Sequence, residues 1–284
     1  MFRILVITLS LLLIVGAWFV RAPEDKVVFL DVGQGDSILL QDGTKQVLID
    51  GGQGMTILRR LGEELPWFDR RIDVVVATHP DRDHLEGLVH VIERYEVGLV
   101  LLPQMPHTSQ LQSAWLEELQ KLLESRKIAY RFGWQGQHLK VSDELQVQLL
   151  GPFAEKGMIF APGGKTNNAA ILARADFADL SLLLTADAEA SIEKRLTGAY
   201  NGQDILNVDI LKAGHHGSKT STTPALLAAA SPSAVVISVG QDNRYGHPHP
   251  TVLGRLAEVD LWRTDEAGSV RFVRQGDEWL APAR

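Results

Sequence analysis

The chain has 284 residues, 45% of them hydrophobic and 22% charged, the profile of a globular protein large enough to bury a substantial core. A net charge of −7 excludes a generic polyanion-coating protein, which would need a broad basic surface. There is no cysteine, so disulfides, a thiol nucleophile and thiolate-bound zinc are excluded, and any metal must be held by nitrogen and oxygen.

In chain order, the first predicted element is apolar. Residues 4–20, ILVITLSLLLIVGAWFV, carry no formal charge, and the run is just long enough to span a bilayer. Arg3 precedes it and Trp18 stands at its far end like an interfacial anchor. Two readings stand for residues 1–22: an uncleaved signal anchor, or a cleaved signal peptide. The first leaves the body, residues 26–284, anchored on the periplasmic or extracellular side of the membrane. The second leaves it secreted.

From residue 26 onward short apolar runs alternate with helical ones. KVVFLDVG (26–33), DSILLQ (36–41) and KQVLID (45–50) read as consecutive strands. DVVVAT (73–78) is a strand buried on both faces, and LEGLVHVIERYE after it has helical spacing. The strand GLVLL (98–102), the amphipathic helix 113–127 and the strand LQVQLL (145–150) complete a first half. The second half repeats the theme. A hairpin is expected over 168–175 and 180–187, and a helix over AEASIEKRL. Buried strands VDILKAG (208–214) and AVVISVG (234–240) flank a short helix at TPALLAAA. TVLGRLAEV reads as a helix and 261–281 as short strands. Two comparable halves without a Pro/Ser linker favour one four-layer α/β sandwich. The stretch 154–167 is the longest irregular piece, of the kind that borders active sites.

The chemistry-bearing residues follow predicted strands. THPDRDHLEG (78–87) holds His79, Asp81, Asp83 and His84 within one turn. In extended backbone residues two apart share a face, so His79, Asp81 and Asp83 point together, and His84 turns back toward them as a helix begins. Such a set can supply two metal ions. LLTADAE places Asp187 after an apolar strand, where one carboxylate can bridge two metals. LKAGHHGSKTS sets His215 and His216, then Ser218 and Lys219, after another strand, residues suited to metal, phosphate or both. NRYGHPHP adds Arg244, His247 and His249. His90, His107 and His138 read as structural or solvent-exposed. In DVGQGDS, Gly33 and Gly35 read as a tight turn between the first two strands, and Asp31 and Asp36 as turn residues or outer acceptors behind the metal loops. LIDGG reads as a close backbone approach. PGGK at 162–165 lacks the frame of a phosphate loop.

The pattern H-x-D-x-D-H after a strand, Asp187 in LTADA and a later histidine after a strand resembles the metallo-β-lactamase superfamily. Within it, DVGQGDS (31–37), LIDGG (48–52), HHGSKTS (215–221) and NRYGHPHP (243–250) are similar to the metallo-hydrolase domain of ComEC-type competence proteins. The resemblance runs from about residue 26 to 275. It implies an αβ/βα sandwich with a dinuclear site for zinc or manganese between the sheets. It also implies a nuclease role in DNA uptake, one strand being degraded while the other enters the cell. Carried over, His79 and Asp81 hold one metal, Asp83, His84 and His215 hold the second, and Asp187 bridges them. The superfamily histidine that precedes the bridging aspartate has no counterpart here. Asn167 and Asn168 occupy that stretch, leaving the first site short of a nitrogen. A chain with one apolar segment cannot itself be the channel, so the implied partners are single-stranded DNA and a separate DNA-uptake channel.

Charge then assigns roles. Two cations make water a usable nucleophile near neutral pH and neutralise phosphate oxygens during in-line attack. Asp83 is expected to orient or deprotonate that water. Asn168, His216, Ser218, Lys219 and Arg244 are expected on substrate, and His247 or His249 as the proton donor to the leaving oxygen. Oxygen-rich ligands make manganese as suitable as zinc. The body lacks an obvious basic and aromatic stripe, which keeps two other readings open. One is a small-substrate metallo-hydrolase acting on a cyclic nucleotide, lactone or β-lactam. The other is a non-catalytic DNA-uptake subunit.

Overall fold

The computed structural model describes residues 24–105, 114–155 and 157–282. The expected N-terminal segment and His107 lie outside these. Among the described residues no helix is long and apolar enough to cross a membrane.

The first half of the chain runs β1 (Lys26–Phe29), β2 (Ile38–Asp42), β3 (Lys45–Ile49), α1 (Thr56–Glu64), β4 (Arg71–Val76), α2 (Arg82–Arg94), β5 (Glu96–Leu102), α3 (Ala114–Arg126) and β6 (Ala129–Phe132). The second sheet begins with β7 (His138–Lys140) and β8 (Gln146–Leu149). A small hairpin follows, β9 (Ala154–Glu155) and β10 (Met158–Ile159), and then β11 (Ala173–Asp176) and β12 (Ser181–Leu184). After α4 (Ala190–Ala199) come β13 (Ile210–Lys212), α5 (Pro224–Ala230), β14 (Ala234–Ile237), α6 (Pro250–Arg255), β15 (Asp260–Arg263) and α7 (Thr264–Ala267). The last strands, β16 (Val270–Gln275) and β17 (Glu278–Leu280), return to the first sheet.

The sheets have the orders β17-β16-β1-β2-β3-β4-β5-β6 and β15-β14-β13-β12-β11-β8-β7. Strand alternation divides the apolar residues into three layers. Val27 and Phe29 of β1, Ile210 of β13 and Val236 of β14 meet between the sheets. Their neighbours Val28 and Leu30 face outward onto Ile57, Leu61, Leu85 and Leu88 of the first helical layer. Leu211, Val235 and Ile237 face Ile192, Leu196, Leu226 and Val252 of the second. Each sheet is therefore covered on one face by helices and on the other by its partner, which is the expected four-layer sandwich.

Each half contains a parallel quartet, β3-β4-β5-β6 and β12-β13-β14-β15. The C-terminal ends of these strands share one edge, and all the loops discussed below leave from it. Some expected elements are shorter than read. The first strand stops at Phe29, because residues 30–37 form a loop in which Gly33 and Gly35 take left-handed backbone. Residues 166–169 form a 3₁₀ turn, so the expected hairpin pairs only Ala173–Asp176 with Ser181–Leu184. Helix α1 and strands β6 and β7 were not anticipated. In α1 the buried Ile57 and Leu61 stand one turn apart, while β6 and β7 are short edge strands, each with a charged residue.

Candidate metal centre

The centre of the site is the Oδ2 atom of Asp187, which leaves β12 in the loop before α4. Four imidazole Nε2 atoms surround it: His216 at 3.3 Å, His84 at 3.4 Å, His215 at 3.8 Å and His79 at 4.0 Å. Two further carboxylates flank the rings. Asp83 Oδ2 lies 3.4 Å from His216 Nε2, and Asp81 Oδ2 lies 3.9 Å from His79 Nε2.

The backbone is bent to make this possible. Asp50, Ala186, His215 and His216 all have positive φ, between 46° and 58°. Left-handed backbone costs a non-glycine residue on the order of 1–2 kcal/mol, so packing elsewhere maintains the loops. Two glycines allow the loops to close. A Cβ on Gly35 would lie 2.0 Å from the Asp83 carbonyl, and one on Gly87 would lie 2.0 Å from the Gly51 carbonyl. Gly51 N donates to His84 O at 2.7 Å and Gly87 N to Gly52 O at 2.9 Å. The LIDGG loop is thus laid against the first turn of α2, the close approach its glycines suggest. Gly35 serves the same contact rather than only a turn.

Each ring is oriented from behind. Asp50 Oδ2 accepts from His84 Nδ1 at 2.8 Å and from the Thr78 hydroxyl at 2.6 Å. With its hydrogen given to Asp50, the Thr78 oxygen accepts from His79 Nδ1 at 2.9 Å. His216 Nδ1 donates to the Ser238 carbonyl at 2.9 Å. These partners assign the hydrogen of each neutral ring to Nδ1. That leaves the Nε2 atoms of His79, His84 and His216 buried, pointing inward and without a hydrogen-bond partner. Buried polar atoms are rarely orphaned. Three converging imidazole lone pairs beside a shared carboxylate are a donor set that fits divalent cations, with the outer hydrogen bonds such ligands need.

In the metal-free protein protons take the place of a cation on the inward nitrogens of His84 and His216. Burial alone disfavours charge on His84 and His216, but Asp187, with Asp50 behind the first and Asp36 behind the second, holds both well above the ordinary imidazole value. Burial would likewise raise Asp187, yet His216 and His84 hold it well below the carboxylate range. Beneath them Lys212 is buried, with Nζ 2.5 Å from Asp36 Oδ2 and 3.8 Å from Asp187 Oδ1, donating to the Ala186 carbonyl at 2.9 Å.

The expected residues His79, Asp81, Asp83, His84, Asp187 and His215 all converge here, with one exchange of place. The position beside Asp83 and His84 belongs to His216, expected on substrate. His215 turns toward Asn167, whose Nδ2 lies 3.4 Å from its Nε2. Several residues expected on substrate make contacts within the protein. The Asn168 amide is used internally: Nδ2 donates to the Pro162 carbonyl at 2.9 Å, and Oδ1 accepts from Glu189 N at 3.3 Å. It ties the 154–167 stretch to the Asp187 loop, while Asn167 and Thr166 face the centre. Thr166 donates to Asp81 Oδ1 at 2.6 Å. Ser218 is buried and pairs with Thr220 at 3.0 Å, and Lys219 is exposed. His249 caps α6, its Nδ1 accepting from Thr251 N at 3.2 Å. The His247 ring lies 5.7 Å from that of His215, and burial and His215 push its pKa down to about 4. It is neutral at pH 7 and therefore a poor proton donor. Asp50, Thr78 and Lys212 are not among the residues the sequence motifs mark. The available signal was a lone lysine inside the apolar run of β13 and an aspartate closing β3.

The chain belongs to the metallo-β-lactamase superfamily, whose family model matches residues 30–241. Among curated proteins it is similar to ComE operon protein 3 of Bacillus subtilis, 28% identical over 277 residues that cover 88% of this chain and 33% of that protein. It is also similar to competence protein ComA of Neisseria gonorrhoeae, 28% identical over 258 residues, covering 88% of this chain and 33% of that one. The chain thus spans about a third of the length of these relatives. Among solved structures the diiron β-hydroxylase CmlA from Streptomyces venezuelae superposes with a TM-score of 0.59 at 16% identity, over 89% of this chain and 55% of that one. YhfI from Bacillus subtilis, a metallo-β-lactamase fold protein, gives 0.55 at 12% identity, over 84% and 96%. At these identities the likeness to solved structures establishes the fold alone.

Proposed function

We propose that this metallo-β-lactamase-fold hydrolase is a dinuclear phosphodiesterase that degrades single-stranded DNA during uptake. The carrying observation is the ring of four imidazoles around Asp187, flanked by Asp81 and Asp83, in a chain whose similar proteins include one named a competence protein. His79, Asp81 and His215 would hold one cation, Asp83, His84 and His216 the other, with Asp187 between them. Zinc or manganese bound there supplies Lewis acidity, which makes water a competent nucleophile and offsets charge on a phosphoryl oxygen. Asp83, one-quarter exposed at the mouth, orients the attacking water through its free oxygen. His216 and His84 keep Asp187 ionised, and Lys212, paired with Asp36, stands 3.8 Å behind it. His247, neutral at physiological pH, offers its ring to a phosphate oxygen rather than a proton to the leaving group. Residues 4–20 anchor this body on the outer face of the membrane, and a separate channel carries the surviving strand.

The full chain, loaded with manganese or zinc, is to be offered single-stranded DNA, bis-p-nitrophenyl phosphate and a chromogenic β-lactam. Cleavage of DNA and of the phosphodiester, lost in Asp83→Ala, is the expected result. Turnover of the β-lactam alone sinks the nuclease reading, and no turnover of any substrate favours a non-catalytic subunit. Membrane fractionation with alkaline extraction tests the anchor. Recovery of the full-length chain in the soluble fraction overturns it.

A further inference from the structure

We infer that Tyr245 is a stacking platform for a nucleobase next to the scissile phosphate, with Arg82 and Arg244 as contacts to the flanking backbone. This rests on the phosphodiester reading above and names the residues that would select a polynucleotide.

Tyr245 is 63% exposed, a large aromatic surface left in water beside a buried polar centre. Its ring stacks on that of His247, with centroids 5.8 Å apart and planes inclined by 28°. His247 in turn abuts His215, whose Nε2 is 3.8 Å from Asp187 Oδ2. A line of rings therefore runs from solvent to the metal centre. The platform is held in place. Asn243 Oδ1 accepts from Tyr245 N at 3.2 Å and His247 N at 3.0 Å, while its Nδ2 donates to the carbonyls of His247 at 2.7 Å and Gly240 at 2.9 Å. A loop fixed before binding loses little entropy when a ligand arrives.

Tyr245 lines a cleft of about 320 Å³ together with Arg82, Arg244, Asn243, Asp242 and the candidate metal ligand Asp83. Arg82 shares its charge with Glu86, at 2.9 Å, and Arg244 is exposed. On the other side of Gln34 lies a second groove of about 610 Å³, whose Asp31 is paired with Arg60 and whose Asp265 and Glu266 are paired with Arg263. A polyanion in the first cleft would lie along Arg82 and Arg244, over Tyr245. A ring beside two guanidinium groups matches the alternation of base and phosphate in a single strand.

The test compares a thymidine oligonucleotide with one of the same length built on abasic sugars, as the ratio of their kcat/KM values. With the manganese- or zinc-loaded full chain the ratio is expected to be roughly tenfold, since a stacked base contributes a factor of that order. Tyr245→Ala should bring the ratio toward one and Tyr245→Phe should preserve it, with thermal melting confirming that both are folded. A ratio of one in the wild type, or a ratio unaffected by Tyr245→Ala, overturns the platform while leaving the nuclease reading intact. Failure of the wild type to cut either polymer, while it hydrolyses bis-p-nitrophenyl phosphate, overturns both.

Discussion

Asp50 Oδ2 stands 2.8 Å from Nδ1 of His84, and this contact turns the Nε2 of the same ring toward Asp187, 3.4 Å away. The same carboxylate holds Thr78, which positions His79. One buried aspartate from β3 thus sets two imidazoles of β4 and α2. Asp50→Asn cannot accept in the same way at both contacts. It should weaken metal binding by roughly 10- to 100-fold, measured by titration calorimetry with zinc or manganese. An unchanged affinity would show that Asp50 is only packing.

His84 and His216 are held above the ordinary imidazole pKa in the metal-free protein: burial opposes this, and Asp187 overcomes it with Asp50 and Asp36. A raised folded pKa contributes stability that is complete below the unfolded value of about 6.5 and is lost as pH rises through the folded value. Metal competes with those same protons, so loading improves with pH. Melting temperatures in EDTA should therefore fall as pH rises above about 6.5, and the stabilisation by added manganese should grow over the same range. Parallel melting curves with and without metal would refute the linkage.

Lys212 is fully buried with its ammonium 2.5 Å from Asp36. Lys212→Met removes that partner and strands a buried carboxylate, a loss of about 3–5 kcal/mol. Exposed Lys219→Met is the control, expected within about 0.5 kcal/mol of wild type. Adding Asp36→Asn to Lys212→Met should restore part of the loss in urea denaturation. No recovery in the double variant would locate the effect in lost packing instead.

His216 Nε2 approaches both Asp187 and Asp83, at 3.3 and 3.4 Å, whereas His215 reaches Asp187 only, at 3.8 Å, and is partly exposed. His216→Ala should therefore lose more bound metal than His215→Ala, read by elemental analysis after dialysis. The reverse order would restore His215 to the place beside Asp83 and His84.

Asp81 supplies an oxygen where a histidine would supply nitrogen, and Asn167 rather than a histidine lies against His215. Asp81→His should shift preference toward zinc, because imidazole suits zinc and carboxylates suit harder cations. Competition between zinc and manganese for the apo variant reads this directly. Unchanged selectivity would place metal choice elsewhere in the site.

Much of this was legible before any coordinates. Most strand positions are legible as short apolar runs between turn residues, and the layered sandwich in two βα halves without a linker. His79, Asp81, Asp83, His84 and Asp187 were legible because each closes a predicted strand or opens the helix after it. A strand end carries its side chains to the sheet edge, whatever the details of packing.

What the chain alone could not decide is which of two adjacent residues takes a given place in the site. His215 against His216, and Asn167 against Asn168, sit in 3₁₀ turns where neither strand nor helix period assigns a face. Left-handed backbone at His215 and His216 and the Ser238 carbonyl behind His216 settle the first case. The Pro162 and Glu189 contacts of Asn168 settle the second. Asp50 and Lys212 became visible for the same reason. A residue that works by holding another is defined by a partner far along the chain: pairing of β3 with β4 brings Asp50 to His84, 34 positions on, and packing of the two sheets brings Lys212 to Asp36.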